Sequence, residues 1–206
     1  MSSSGAEAGS TAAPARPMRA DARRNYERLL SVAADAFAAR GAEASLEDIA
    51  RQAGVGIGTL YRHFPTRTAL LEASYLVRLQ ALRDQANDLL AEPDANAALV
   101  TWLRAFAAHN VRSRGLKDVL AAALHDEGSQ LSECKVLLRN AVDSLLRRAQ
   151  EAGTIRPDIT PNELMRLVHA VFLTAEISAP GTEPDPAQVD RLLSLLLDGL
   201  RGGATA

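Results

Sequence analysis

The chain has 206 residues, 47% hydrophobic and 23% charged, a composition that fits a globular protein of one domain or two small ones. A formal net charge of −2 excludes a uniformly basic nucleic-acid coat, and a single cysteine, Cys134, excludes an intramolecular disulfide framework and fits a reducing compartment. No apolar run approaches the ~20 residues of a membrane span, because Ser194, Asp198 and Gly199 interrupt the longest candidate, Leu192 to Leu200.

Residues 1–20 show no apolar stripe and read as a disordered arm. Residues 1–17 also lack the apolar h-region of a secretory signal, so the expected location is cytoplasmic, with no membrane partner. Ala, Leu and Arg dominate the rest of the chain and β-branched alternation is nearly absent, which predicts an all-α fold of about nine helices. The first runs from about Asp21 to Arg40, with Tyr26, Leu29, Leu30, Ala33, Ala34 and Phe37 on one face and Gly41 as its stop. Ser45-Leu46-Glu47-Asp48 has the form of a capping box, with a short Asp in place of Glu or Gln, and opens the second. Gly54-Val55-Gly56 turns the chain into a third helix, Ile57 to Phe64, which Pro65 closes. Further helices are expected at about 67–90, from the Pro93-Asp94 restart to about 113, and at about 116–125 and 130–152. The last two begin at the Thr160-Pro161-Asn162-Glu163 start signal and at Asp185-Pro186.

Helices 2 and 3, joined by a short glycine-containing turn, have the form of a helix-turn-helix. Ala50 is small enough for a close crossing, and Gly54 tolerates positive φ. Val55, Leu60 and Phe64 would seat the second helix, leaving Ile57, Thr59, Arg62 and His63 outward with Tyr61 at the flank. A helix of ~10–12 Å diameter fits a major groove ~12 Å wide. The charge is uneven in the same sense: residues 16–67 carry nine Arg against six acids, while the remainder is net acidic. The alternative, two ordinary core helices, would not require turn glycine, small crossing residue and cationic flank to coincide.

These residues resemble the TetR family of repressors. The match runs through Arg28-Leu29-Leu30, Phe37-Ala38-Ala39-Arg40-Gly41, Ser45 to Ala50 and Gly54 to Phe64, and continues from Pro65 to Leu71. The C-terminal portion is similar to the SbtR-like subgroup. The resemblance implies that Tyr61 and His63 face the DNA backbone, that Ser45 bonds a phosphate, and that Ile57, Gly58 and Thr59 lie at base edges. Where the family usually has Lys, this chain has Arg67, which keeps the cation for a phosphate contact. Arg16, Arg19, Arg23 and Arg24 would add phosphate or minor-groove contacts, or else be solvated. Apart from the resemblance, only Thr59 and Arg62 offer polar readout and Ile57 a surface for a thymine methyl, so direct base reading is expected to be sparse.

The expected division is an arm (1–20), a helix-turn-helix domain (21–66) and a larger helical domain for regulation and dimerisation (67–206). Helices 8 and 9, at about 161–178 and 186–200, are apolar on more than one face, and a two-fold copy would bury both. Such a homodimer presents paired recognition helices to a palindromic double-stranded DNA operator. Trp102, Phe106, His109, Leu120, Leu124, Val142, His169 and Phe172 are the candidate lining of a pocket for a small-molecule effector of unspecified identity, each with plain core packing as its alternative. His125-Asp126-Glu127 resembles a metal cluster only superficially, and no metal-ligand spacing, cofactor motif or catalytic constellation is present. The reading is therefore a DNA-binding regulator, most simply a ligand-released repressor, with a ligand-independent DNA- or partner-binding helical protein as the alternative and an enzyme last.

Overall fold

Polar side chains that cap the backbone set most of the helix starts. Ser45, Thr66, Asp94, Ser129 and Asp185 each accept a hydrogen bond from an N–H two or three residues onward. Thr160 does the same for Glu163, whose carboxylate returns to the Thr160 N–H at 2.8 Å, completing a reciprocal capping box. At Ser45 the box stays half-formed, because the shorter Asp48 turns its carboxylate to Arg40 and Arg51.

The computed structural model describes residues 15–113, 116–126, 128–178 and 185–201. Among these lie nine α-helices: α1 (Ala15–Arg40), α2 (Leu46–Gln52), α3 (Ile57–His63), α4 (Arg67–Leu89), α5 (Ala95–Arg112), α6 (Lys117–His125), α7 (Gln130–Glu151), α8 (Pro161–Ser178) and α9 (Pro186–Gly199). The described residues contain no strand, only an isolated bridge between Ile155 and Arg201. Helix α1 begins at Ala15, six residues before the expected Asp21, which corrects the extent of the arm. The added residues are mostly good helix formers, and Pro17 falls in the first turn, where its missing N–H has no intrahelical partner to lose. Residues 1–14 of the expected arm lie outside the described residues, as do Glu127 and the side chains of Arg16 and Arg19.

Helix α4 is the spine. Its first half packs on α1 and its length packs along α5 and α7. One continuous cluster of buried side chains runs from Leu29 and Phe37, through Leu70 and Tyr75, to Trp102, Val142, Leu193 and Leu200. Trp102 is fully buried and donates its indole N–H to the Leu82 carbonyl at 2.9 Å, joining α5 to α4. Arg148 of α7 donates to the carbonyls of Leu89 and Glu92, fastening the turn between α4 and α5. The N-terminal helices and the larger body thus meet on a single helix.

Candidate nucleic-acid interface and interior cavity

The turn between α2 and α3 is built on Gly54, whose φ of +67° is a left-handed conformation that L side chains rarely adopt. Arg28 of α1 fixes this turn by donating its Nε to the Ala53 carbonyl at 2.6 Å. A Cβ on Gly54 would come within 3.3 Å of the Arg28 guanidinium, so the position is constrained twice. Arg28 was legible only as part of a sequence match. Its anchoring role depends on a carbonyl 25 residues away, which no local pattern displays.

Leu60 and Phe64 anchor α3 inward, and Tyr26 of α1 stacks on Phe64 with ring centroids 5.4 Å apart. The same tyrosine meets His63 edge-on at 5.5 Å, so the exposed imidazole is oriented rather than loose. Ile57, Gly58, Tyr61, Arg62 and His63 are exposed and Thr59 is half-buried; together they form the outward face of α3. Arg62 lies back along its own helix, donating to Gly58 O and Thr59 Oγ1, both at 3.2 Å. Thr59 and Arg62 therefore hold one another, while the Thr59 hydroxyl keeps its proton to donate and the Arg62 guanidinium its other N–H groups.

Ser45 sits at the start of α2 with its hydroxyl engaged as the cap. Arg67 occupies a different position from a free surface cation: its Nη1 donates to Ala42 O at 2.8 Å and to Ala44 O, clamping the α1–α2 connection to the start of α4. Among the described residues Arg28, Arg62 and Arg67 all bond neutral acceptors, so their charges stay uncompensated. Arg23, Arg40 and Arg51 instead pair with Glu27 or Asp48.

The larger body contains a cavity of about 270 Å³ among α4 to α8. Phe106, His109 and Leu124 line it. Trp102, Leu120 and Val142 do not: each is 0% exposed, because its helix turns that side into the packed core. His169 and Phe172 also fall outside the lining; they face one another on α8 at 6.2 Å. Besides His109, the polar lining comes from residues that the sequence analysis did not assign to a pocket, namely Tyr75, Asn110, Lys135, Arg139 and Asn162. His109 is buried, with its Nε2 3.4 Å from both the Tyr75 hydroxyl and Ser113 Oγ. Burial pushes the Tyr75 phenol up to about 12, so it remains a neutral hydrogen-bonding group at ordinary pH. A second concavity, about 410 Å³, is a shallow surface groove beside Arg156, Asp158 and Arg166, and none of the expected lining residues borders it. No group of His, Cys, Asp and Glu suited to a metal ion occurs among the described residues.

An all-helical body carrying a helix-turn-helix, with the second helix turned outward beside uncompensated arginines, belongs to the class of DNA-binding transcriptional regulators. Residues 29–74 match the model of bacterial regulatory proteins of the tetR family, and residues 94–202 match that of the SbtR-like transcriptional regulator C-terminal domain. The chain belongs to the TetR family, whose members are regulators rather than enzymes. It is similar to the HTH-type transcriptional regulator SrpR of Pseudomonas putida, 30% identical over 73% of this chain and 68% of that protein. Its fold is similar to the TetR transcriptional regulator SCO0520 of Streptomyces coelicolor, at 39% identity and TM-score 0.72, covering 86% of this chain and 99% of the other. A TetR transcription regulatory protein of Mycobacterium vanbaalenii matches at 34% identity and TM-score 0.67, over 90% and 99% of the two chains. No helix among the described residues is long and apolar enough to cross a membrane.

Proposed function

We propose that the protein is a homodimeric repressor that grips a palindromic operator through paired α3 helices and releases it when a small molecule enters the cavity. Ser45, Tyr61, His63 and Arg67 are assigned to the DNA backbone, with Ile57, Gly58, Thr59 and Arg62 facing the bases. The cavity carries the ligand-release part of this reading, because Tyr75 and Leu79 of α4 line it directly. One turn from Tyr75, Arg78 donates to the Ala34 carbonyl of α1, and at the start of the same helix Arg67 clamps the α1–α2 connection. A ligand that displaced α4 would therefore move the helix-turn-helix domains of a dimer relative to each other. It acts only to the extent that it binds the DNA-incompetent arrangement more tightly. An alternative in which the larger body is filled core and senses nothing would not call for an open space bordered by the buried Tyr75 and His109.

The test is fluorescence anisotropy with a duplex selected from a random pool. Two protomers should occupy one palindrome, affinity should fall steeply with added salt, and some member of a small-molecule library should release the duplex. Retention of no duplex at low ionic strength would falsify the operator reading. DNA binding that no compound alters would remove the ligand-release part alone.

A further inference from the structure

Resting on the ligand-sensing reading above, the lining of the cavity specifies the charge of what enters it. We infer that the cavity takes a small organic carboxylate, held by Lys135 and Arg139 with its apolar body against Phe106, Leu124, Leu138 and Met165.

Lys135 and Arg139 stand four residues apart on α7 and so project from one face of that helix. Both line the cavity, and among the described residues no Asp or Glu does. Among the described residues neither has a carboxylate within ion-pair distance, and Lys135 Nζ donates only to the Leu124 carbonyl at 3.3 Å. The acid nearest along the chain to the lining residue Asn162 is Glu163, whose carboxylate is turned onto the Thr160 N–H and hydroxyl at 2.8 and 2.7 Å. That bonding holds Glu163 below the ordinary carboxylate range, so it is a fixed anion of the capping box and not a cavity group.

The rest of the lining sorts by depth. Tyr75 and His109 are buried and offer hydrogen-bonding groups at the inner end, while Lys135, Arg139 and Asn162 are exposed at the rim. A ligand with an apolar body and an anionic end satisfies both zones. A cation would meet two like charges with no counter-charge, and a neutral ligand would leave the rim cations without use. The volume, about 270 Å³, lies near the lower end of ligand sites, which selects an aromatic or short aliphatic acid over a long-chain one.

The experiment uses the full chain and matched probes: benzoate against benzamide, and hexanoate against hexanamide, by calorimetry and thermal shift. Each acid should bind at least ~10-fold more tightly than its amide, since hydrogen bonds to charged groups are the stronger class. That preference should vanish in a Lys135→Gln/Arg139→Gln variant. Both side chains are exposed, so the variant should keep its unfolding midpoint and its affinity for the selected duplex. Amides that bind as well as acids, an acid preference that survives in the variant, or acids that fail to bind at millimolar concentration each overturn the assignment of charge. The sensor reading stands apart from these outcomes: it survives if any neutral or cationic compound binds and releases the duplex, and it falls with the carboxylate assignment if no compound does.

Discussion

Arg67 shows how a residue read for one task is held for another. Its guanidinium reaches back 25 and 23 residues to the Ala42 and Ala44 carbonyls, so truncation removes two charge-assisted bonds as well as a cation near DNA. Arg67→Ala should cost about 1–2 kcal/mol of folding stability, or roughly 3–6 °C in a protein of this size. Arg67→Lys should restore little of it, because an ammonium lacks the planar fork. Thermal unfolding of the three proteins checks this, and equal midpoints would mean that the clamp contributes nothing. Tyr61 is the cleaner probe of the interface. It is 46% exposed, so Tyr61→Ala should leave stability within ~0.5 kcal/mol while weakening every duplex alike, with the salt dependence unchanged because a neutral phenol releases no counterion. The sequence displays Arg67 as a charge beside a capping threonine; which carbonyls it reaches is decided by the approach of α4 to the α1–α2 connection.

At the scale of elements, legibility followed the caps. The starts of α2, α4, α5, α8 and α9 were visible because an oxygen-bearing side chain at each must satisfy free N–H groups wherever the helix packs. The start of α1 was hidden because its first turns carry no apolar face, and periodicity reports only helices that bury one side. The cavity was hidden for a related reason. Helical spacing places Trp102, Leu120 and Val142 on inward faces but cannot separate a packed wall from a hollow one, whereas Lys135 and Arg139 look like surface cations until α7 meets α8. The glycine of the turn before α3 and the glycine within α3 are separable by the same physics. Gly54 needs its positive φ, but a Cβ on Gly58 would meet nothing within 4 Å. Gly58→Ala should therefore stabilise the protein, by up to about 1 kcal/mol, by raising helix propensity. If the α3 backbone approaches DNA closely there, the same change should lower operator affinity. Opposite shifts in unfolding midpoint and anisotropy are expected; loss of both would show that the glycine serves the protein's own fold.

At the scale of the molecule, α8 and α9 leave an apolar surface that one chain does not cover. Leu164, Val168 and Phe172 of α8 and Val189, Leu193 and Leu197 of α9 face the protomer core. Leu167, Leu173 and Leu195 face outward at 38%, 43% and 58% exposure. Two helices with apolar residues on both sides fit a two-fold interface in which each buries the other copy's outward face. Leu167→Asp combined with Leu195→Asp should then give a folded monomer, since neither position belongs to the protomer core and burying a carboxylate in an apolar interface is costly. Sedimentation should show half the mass of the parent protein, with Trp102 fluorescence still that of a buried indole. Operator affinity should collapse by more than ~10-fold even though α3 is untouched, because one recognition helix engages one half-site and loses the gain from a linked second contact. A double variant that still sediments as a dimer would move the interface elsewhere on the surface, and a monomer that kept full affinity would mean that operator binding does not depend on pairing.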